Sequence, residues 1–245
     1  MLFRPMSETE GQEALSQRHG DNLYPIQFTE TFGPEELTLD VPAGVWNPTP
    51  HGVHLGNMLV TMDFSGEHVL ELGTGCGVHA ILIARRGAAK MTLTELDQAP
   101  LDNARHNLEK HGCENPIDYV VADWTNVAGG PYDVLVTNPP FAKSGKRYRR
   151  YFIDTLILDA HKLVRPGGRL VFIQSSMADI PRSLRLMEEN GMEVQIVGET
   201  DGPFRSYYFE DPAYIREMAM VPGAYSVRDG VHHERLMAFE ATLPG

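Results

Sequence analysis

A short apolar segment followed by three closely spaced glycines constrains this chain more than any other feature of its sequence. The run from His68 to Leu72 is typical of a buried strand, and Gly73, Gly75 and Gly77 follow it at alternate positions. Glycine lets the backbone turn sharply and approach a ligand closely. The next segment, Val78 to Arg86, is rich in helix-forming residues, so its first free N–H groups point back over the loop. We therefore predict a strand, a loop and a helix that hold a nucleotide-like cofactor.

Length and composition limit the classes of protein to consider. A chain of 245 residues suits one α/β domain with an extension, and its formal net charge of -12 disfavours a polyanionic partner unless a local basic patch exists. The two cysteines, Cys76 and Cys113, form no C-x-x-C pair and indicate neither a disulfide framework nor a zinc site. Residues 1–20 are polar and no apolar run approaches eighteen residues, so we expect neither a signal peptide nor a membrane span. We expect a cytoplasmic protein without membrane contact.

Carboxylates close the first two predicted strands. Glu71 ends the first, and the second runs from Lys90 to Glu95. The carboxyl end of the second strand is where such folds place the acceptor for the ribose hydroxyls of a cofactor. Both Glu95 and Asp97 lie there. We favour Glu95 because it ends the strand, which leaves Asp97 as the N-cap of the helix predicted over 98–111.

A fourth predicted strand, Tyr132 to Thr137, runs directly into Asn138-Pro139-Pro140-Phe141. The two prolines fix the backbone and remove two N–H donors. The amide oxygen of Asn138 and the carbonyl of Pro139 remain as rigid acceptors, which suit a substrate nitrogen that donates two hydrogens. Phe141 offers a flat face for a planar substrate group.

Together, Glu-Leu-Gly-Thr-Gly-Cys-Gly and a later Asn-Pro-Pro-Phe resemble the N-P-P-[YF] subgroup of class I S-adenosylmethionine (SAM) dependent methyltransferases. Its members modify planar nitrogens, such as the glutamine side chain of release factors (the HemK or PrmC type) and exocyclic amines of nucleic-acid bases. The resemblance implies an α/β fold: a Rossmann-like, seven-stranded sheet with helices on both faces. It also implies SAM as the cofactor.

The resemblance assigns roles to individual residues. Asp123, near the end of the third predicted strand (117–124), would accept a hydrogen bond from the adenine amino group, and Trp124, its last residue, would border the ring; the alternative is a turn aspartate beside a packing tryptophan. Asn138, Pro139, Pro140 and Phe141 would hold the methyl acceptor. The residues expected to bind SAM are Glu71, Gly73, Thr74, Gly75, Gly77, Glu95, Leu96, Asp123, Trp124 and Asn138.

We divide the chain into an N-terminal extension or cap, residues 1–52, and a methyltransferase domain, residues 53–245. Between the sixth and seventh predicted strands, residues 198–235 form a long aromatic-rich insertion, which we interpret as a substrate cap; a packing excursion or an oligomer contact is the alternative. The residues expected to contact substrate are Trp46, His51, Arg147, Tyr207 and Tyr208. We expect no metal site, because the histidine pairs 51/54 and 232/233 lack further ligands at a recognisable spacing.

Residues 143–151 form the one dense basic cluster, and they either grip a phosphate or acidic substrate or begin a solvated helix. We expect neither the helical N-terminal domain of the release-factor enzymes nor a duplicated methyltransferase domain, and both departures count against those specific assignments. Because the net charge is negative and we expect no RNA-binding domain, a small molecule or a glutamine-like protein side chain is the favoured acceptor, and an exocyclic amine of RNA or DNA is the alternative. The rival classes are a SAM-binding protein without activity and a dinucleotide oxidoreductase. The oxidoreductase would need G-x-G-x-x-G, but Val78 stands at the third glycine.

Overall fold

The computed structural model of the protein describes residues 24–140, 150–205, 208–209 and 212–245. The strands in these ranges are β1 (Ile26–Phe32), β2 (Glu35–Val41), β3 (His68–Leu72), β4 (Lys90–Glu95), β5 (Ile117–Val121), β6 (Tyr132–Thr137), β7 (Val164–Ser175), β8 (Glu193–Pro203), β9 (Ser226–Arg228) and β10 (Val231–Thr242). The helices are α1 (Pro50–Leu59), α2 (Val78–Arg85), α3 (Gln98–Lys110), α4 (Tyr151–Leu163), α5 (Ile180–Glu189) and α6 (Pro212–Met218).

The central sheet has the strand order β5-β4-β3-β6-β7-β10-β8. Neighbours from β5 to β7 pair in parallel, whereas β10 runs antiparallel to both β7 and β8. The chain starts this sheet at β3 and places β4 on one side and β6 on the other. Such a switch point opens a crevice at the carboxyl ends of the strands, where ligands bind in open α/β sheets. The predicted Rossmann-like fold is confirmed.

Helices cover both faces of the sheet. On one face, α1, α2 and α3 share an apolar core with β3 and β4, centred on side chains such as Leu55, Ile81 and Leu101. On the other face, α4 and α5 pack against β6, β7 and β10 through residues such as Leu156 and Met187. Central strands buried on both sides explain the continuous apolar runs in the sequence.

The described part of the N-terminal extension contains regular secondary structure. Strands β1 and β2 form an antiparallel hairpin whose Phe32 and Leu39 enter the same core as α1. The sequence predicts a proline-rich loop over 42–52, but this loop is shorter because α1 already begins at Pro50. Proline is tolerated in the first turn, where its missing N–H has no helical partner. The predicted domain boundary between residues 52 and 53 stays a prediction.

The strands on either side of the predicted insertion are longer than their sequences indicate. The predicted sixth strand ended at Val197, but β8 continues to Pro203; the predicted seventh strand began at Leu236, but β10 begins at Val231. Residues 198–203 contain two glycines and three polar residues, so they carry no alternating apolar pattern. A register shift, in which Val197 of β8 is left out opposite Ala238 and Phe239 of β10, lets the pairing continue. The short β9, which pairs with β10, was not predicted because all three residues are exposed.

The remaining excursion, residues 204–230, has a small core of its own. Phe204, Tyr208 and Tyr214 are buried there against Met177, in the 3₁₀ turn that follows β7. The Tyr208 and Tyr214 rings stack with centroids 5.4 Å apart. Much of the aromatic content of the insertion therefore serves packing. None of the helices in the described part of the chain combines the length and apolar composition that a membrane crossing needs.

Gly56 tests the packing of α1 on the hairpin. A Cβ atom at this position would lie 2.6 Å from Cε1 of the fully buried Phe32. Alanine favours a helix by about 1 kcal/mol over glycine, yet overpacking costs about 1–3 kcal/mol. We expect Gly56→Ala to lower the urea midpoint of unfolding. Gly202→Ala is the control: no described atom lies within 4 Å of its Cβ position, so its effect should stay within about 0.5 kcal/mol. A Gly56→Ala variant as stable as the parent would contradict the packing described.

Candidate active site

All three glycines of the loop after β3 adopt the left-handed backbone conformation that side chains disfavour. Their φ angles are +73° at Gly73, +54° at Gly75 and +84° at Gly77. Gly77 also forms a close contact, because a Cβ atom there would lie 3.0 Å from the Cα atom of Ala104 in α3. The loop thus needs glycine for its turns, and at Gly77 also for the approach of α2 to α3.

Hydrogen bonds hold the loop on the end of β4. The backbone N–H groups of Gly73 and Thr74 donate to the carbonyl oxygen of Thr94 over 3.0 and 3.1 Å. The N–H of Gly75 donates to Oε1 of Glu95 over 2.7 Å. Burial raises the pKa of Glu95, against the opposing effect of this bond. The Glu95 side chain therefore holds the glycine loop at the carboxyl edge of the sheet.

Glu71 is buried beneath the loop. Its Oε2 accepts a 2.7 Å hydrogen bond from the Thr74 hydroxyl. The other oxygen, Oε1, lies 3.3 Å from Nδ1 of His79, near enough for an ion pair but outside hydrogen-bond geometry. Nε2 of the same imidazole lies 2.9 Å from the carbonyl oxygen of Gly52 in α1. His79 thus connects the glycine loop to the first turn of α1.

Strand register brings the predicted cofactor and acceptor residues to one edge. Leu72 in β3 pairs with Thr94 on one side and with Thr137 on the other. One residue further along each strand, Gly73 therefore emerges between Glu95 and Asn138, about 5 Å from each neighbouring strand. The Thr137 hydroxyl donates to the carbonyl of Leu72 over 2.9 Å and reinforces this alignment.

Asn138 is half-buried against the first turn of α1. A Cβ atom on Gly52 would lie 3.6 Å from Nδ2 of Asn138 and 3.7 Å from Nε2 of His79. Pro139 is buried and Pro140 is exposed. Phe141, the last predicted member of this motif, lies outside the described residues.

The residues predicted to surround the adenine follow β4 and β5. Leu96 is 63% exposed, and Asp123 is exposed too. Trp124 comes three residues after the end of β5, where the sequence predicted strand, and its backbone is left-handed with φ +49°. Its indole N–H donates to Thr155 over 2.9 Å, and the ring lies edge-to-face on Phe152. Trp124 thus packs on α4, and a role for the ring beside adenine stays a prediction.

The predicted substrate residues lie in different settings. Trp46 is 40% exposed, and its carbonyl oxygen would lie 3.8 Å from a Cβ atom on Gly75, so this loop borders the glycine turn. Nε2 of His51 lies 3.6 Å from the buried carboxylate of Glu234. The hydroxyl of the buried Tyr208 contacts the same carboxylate at 3.4 Å. Arg147 and Tyr207 lie outside the described residues.

Only the end of the basic cluster 143–151 is described. Arg150 donates to the backbone carbonyls of Ala178 and Asp179 and to the Asp154 carboxylate at 2.7 Å. Its guanidinium is largely buried by these contacts. Arg150 therefore joins α4 to the turn before α5, and its guanidinium makes its hydrogen bonds within the fold.

The sequence missed three functional candidates: Gly52, His79 and Glu234. Gly52 and Glu234 follow no motif and acquire their position only from long-range packing. His79 does lie in the predicted helix after the glycine loop. A histidine among apolar residues at the start of a buried helix was the available signal.

The open side of the loop fits a SAM molecule. No described atom lies within 4 Å of a Cβ position on Gly73, although Glu95 and Asn138 flank this glycine. A backbone that leaves this space, beside a carboxylate that can accept from hydroxyls, suits the nucleoside and amino-acid parts of SAM.

The family comparison decides the identification. The family model of the methyltransferase small domain matches residues 53–204. The chain belongs to this methyltransferase family. The resemblance predicted from the sequence is confirmed, and with it the enzyme class and the SAM cofactor of this family.

Similar proteins cover different parts of this methyltransferase. The release factor glutamine methyltransferase of Chlorobaculum tepidum is 33% identical over 129 residues, which are 42% of this chain and 44% of that protein. The ribosomal RNA small subunit methyltransferase C of Haemophilus influenzae is 28% identical over 71% of this chain and 51% of its own length. The chain thus spans about half the length of these relatives.

A solved structure supports the fold of the methyltransferase. The T. thermophilus 16S rRNA N2 G1207 methyltransferase, in complex with AdoMet and guanosine, has a TM-score of 0.60 and 20% sequence identity. The match covers 90% of this chain and 51% of that one. At this identity the likeness concerns the fold.

The choice between Glu95 and Asp97 can be tested by cofactor affinity. Glu95→Gln removes a charged acceptor that also holds Gly75, and charge-assisted hydrogen bonds contribute about 1.5–3 kcal/mol. We expect the Kd for SAM, measured by isothermal titration calorimetry, to rise about 10- to 100-fold. Asp97→Asn is the matched control: the side chain is exposed and makes no capping hydrogen bond, so we expect less than about a twofold change. A larger loss of SAM affinity in Asp97→Asn than in Glu95→Gln would indicate that Asp97, not Glu95, accepts from the ribose hydroxyls.

Proposed function

We propose that this enzyme transfers the methyl group of SAM to a planar amino or amide nitrogen of a small molecule or of a glutamine-like protein side chain. The register of β3 and β6 carries the proposal. It brings Asn138 level with Gly73, so a nitrogen bound by Asn138 would lie next to the cofactor loop.

The Asn-Pro-Pro segment supplies hydrogen-bond acceptors without competing backbone donors. The amide oxygen of Asn138 and the carbonyl of Pro139 can each accept one N–H of the substrate. Two such bonds orient the nitrogen lone pair and favour the positive charge that develops on nitrogen during transfer. SAM, when bound, supplies an electrophilic methyl group on a sulfonium sulfur.

Positioning accounts for most of the catalysis in this proposal. Holding two reactants in line can contribute about 7–11 kcal/mol to lowering a barrier. The buried Pro139 and the packing of Gly52 on Asn138 keep the acceptor group rigid. The nitrogen can lose its proton to water after transfer, so no strong base is needed beforehand.

The position of the excursion between β8 and β10 supports its interpretation as a substrate cap. Because Leu236 pairs with Ser175, the last residue of β7, residues 231–235 extend beyond the carboxyl end of that strand. The Ser176 hydroxyl donates to the carbonyl of Ala224 over 2.6 Å and fixes the excursion to the 3₁₀ turn. The excursion therefore rises at the edge of the sheet to which Gly73 and Asn138 belong. We propose that it closes the acceptor site from that side.

Net charge supports a small-molecule or protein acceptor over nucleic acid. A chain with a charge of -12 repels a phosphate backbone unless a basic surface overcomes the repulsion. Nucleic acid is the second candidate because the basic cluster 143–151 follows the acceptor motif and because one relative acts on ribosomal RNA. Arg150 contributes little to such a surface, since its guanidinium binds within the fold.

Asn138→Ala tests the catalytic role directly. We expect methyl transfer to fall at least about 100-fold, the effect of losing a transition-state hydrogen bond. The Kd for SAM should change less than about threefold, under 1 kcal/mol. Asn190→Ala is the control, because Asn190 is exposed at the end of α5 and bonds only locally to Leu186. Full turnover by Asn138→Ala would indicate a different acceptor site, or a protein that binds SAM without using this motif.

The acceptor class can be found by labelling. The enzyme is incubated with SAM carrying a radioactive methyl group and with cell extract, which is then separated into protein, RNA and metabolite fractions. We expect label in protein or metabolites, and none with Asn138→Ala. Label confined to RNA would favour the second candidate.

A further inference from the structure

Glu234 is a buried carboxylate that the proposed reaction does not use. Its side chain is 4% exposed and lies near the start of β10, in the segment that extends past β7. The Ser175 hydroxyl donates to Oε2, the Tyr208 hydroxyl lies 3.4 Å from Oε1, and Nε2 of His51 lies 3.6 Å from Oε2. Four separate parts of the chain therefore meet at one carboxylate.

The charge on this carboxylate is favoured despite its burial. Desolvation alone would raise the pKa of Glu234, but the interactions with His51, Ser175 and Arg205 outweigh it and lower the pKa. A buried ionised group must keep its partners, since removing one leaves an uncompensated charge. His51 is consequently held in a fixed position by the start of β10.

The position of His51 also determines that of Gly52, the next residue, which lies against Asn138. A Cβ atom added to Gly52 would lie 3.6 Å from Nδ2 of Asn138. The carbonyl of Gly52 is fixed from the opposite side by His79, which in turn faces Glu71. The first turn of α1 thus lies between two glutamate–histidine pairs: Glu234 of β10 with His51, and Glu71 of β3 with His79.

We propose that Glu234 is a positioning residue of the acceptor site: through His51 it holds the first turn of α1 against Asn138. The inference rests on the proposed function of Asn138, but the position of that side chain can be measured separately from turnover. An apolar group would stabilise a buried site at least as well as an ion pair, so the carboxylate is better explained by the geometry it imposes.

The test uses Glu234→Gln in the full-length protein with SAM bound. The side-chain amide resonances of Asn138 are identified in ¹H–¹⁵N spectra by their loss in Asn138→Ala. We expect them to shift in Glu234→Gln, while the Asn190 amide resonances stay unchanged. Turnover of the labelled acceptor fraction should fall about 10- to 100-fold in kcat, as a small misplacement of a reacting group does. The Kd for SAM should stay within about twofold.

Two further variants keep the test decisive. Glu240→Gln is the matched control, because Glu240 lies on the same strand but pairs with Arg169 near its other end; neither the Asn138 resonances nor kcat should change. Should Glu234→Gln fail to fold, His51→Gln keeps a donor towards Glu234 and should give the same changes to a smaller degree.

Unchanged Asn138 resonances in folded Glu234→Gln would overturn the inference, as would shifted resonances with an unchanged kcat. Loss of SAM binding would also overturn it, because the pair would then support the cofactor loop. If the parent enzyme labels no acceptor at all, the proposed function fails, and the resonances alone still decide whether Glu234 positions Asn138.

Discussion

The pairing of β3 with β4 on one side and β6 on the other is the constraint on which the site depends. Leu72 is a buried apolar residue, yet its two strand partners, Thr94 and Thr137, determine which residues emerge together. A slip of one residue would turn every side chain of a strand to the opposite face. The buried apolar side chains of these strands prevent such a slip, so the packing of the core also aligns Glu95, Gly73 and Asn138.

The same packing explains why polar groups are buried around the loop. Glu71, His79 and Glu234 lie where an apolar side chain would be simpler to accommodate. Each is paired, and the pairs connect the glycine loop, α1 and β10 to one another. In the proposed mechanism, Asn138 is thus supported by three elements that are distant in sequence. This arrangement suits a reaction in which positioning supplies most of the rate.

Local sequence signals predicted the parts of the fold that depend on local physics. Strands β4 and β6 have the predicted bounds because both are short and end at a polar residue, Glu95 and Thr137. The loop after β3 required positive φ angles, and glycine indicated them. The predicted end of β8 and the predicted start of β10 were wrong, because pairing between exposed polar residues leaves no periodic pattern in the sequence. Glu234 and Gly52 could not be found, since their importance arises from contacts across 183 and 27 residues of chain, to His51 and His79 respectively. The assignments of Glu95, Asp123 and Asn138 to cofactor and acceptor stay predictions.

The most direct measurement is a crystal structure of the enzyme with S-adenosylhomocysteine, the demethylated product of SAM. The account predicts the nucleoside on the open side of Gly73, its ribose hydroxyls against the Glu95 carboxylate and its sulfur towards the Asn138 side chain. A nucleoside bound elsewhere on the chain, or an Asn138 side chain directed away from the sulfur, would contradict the account.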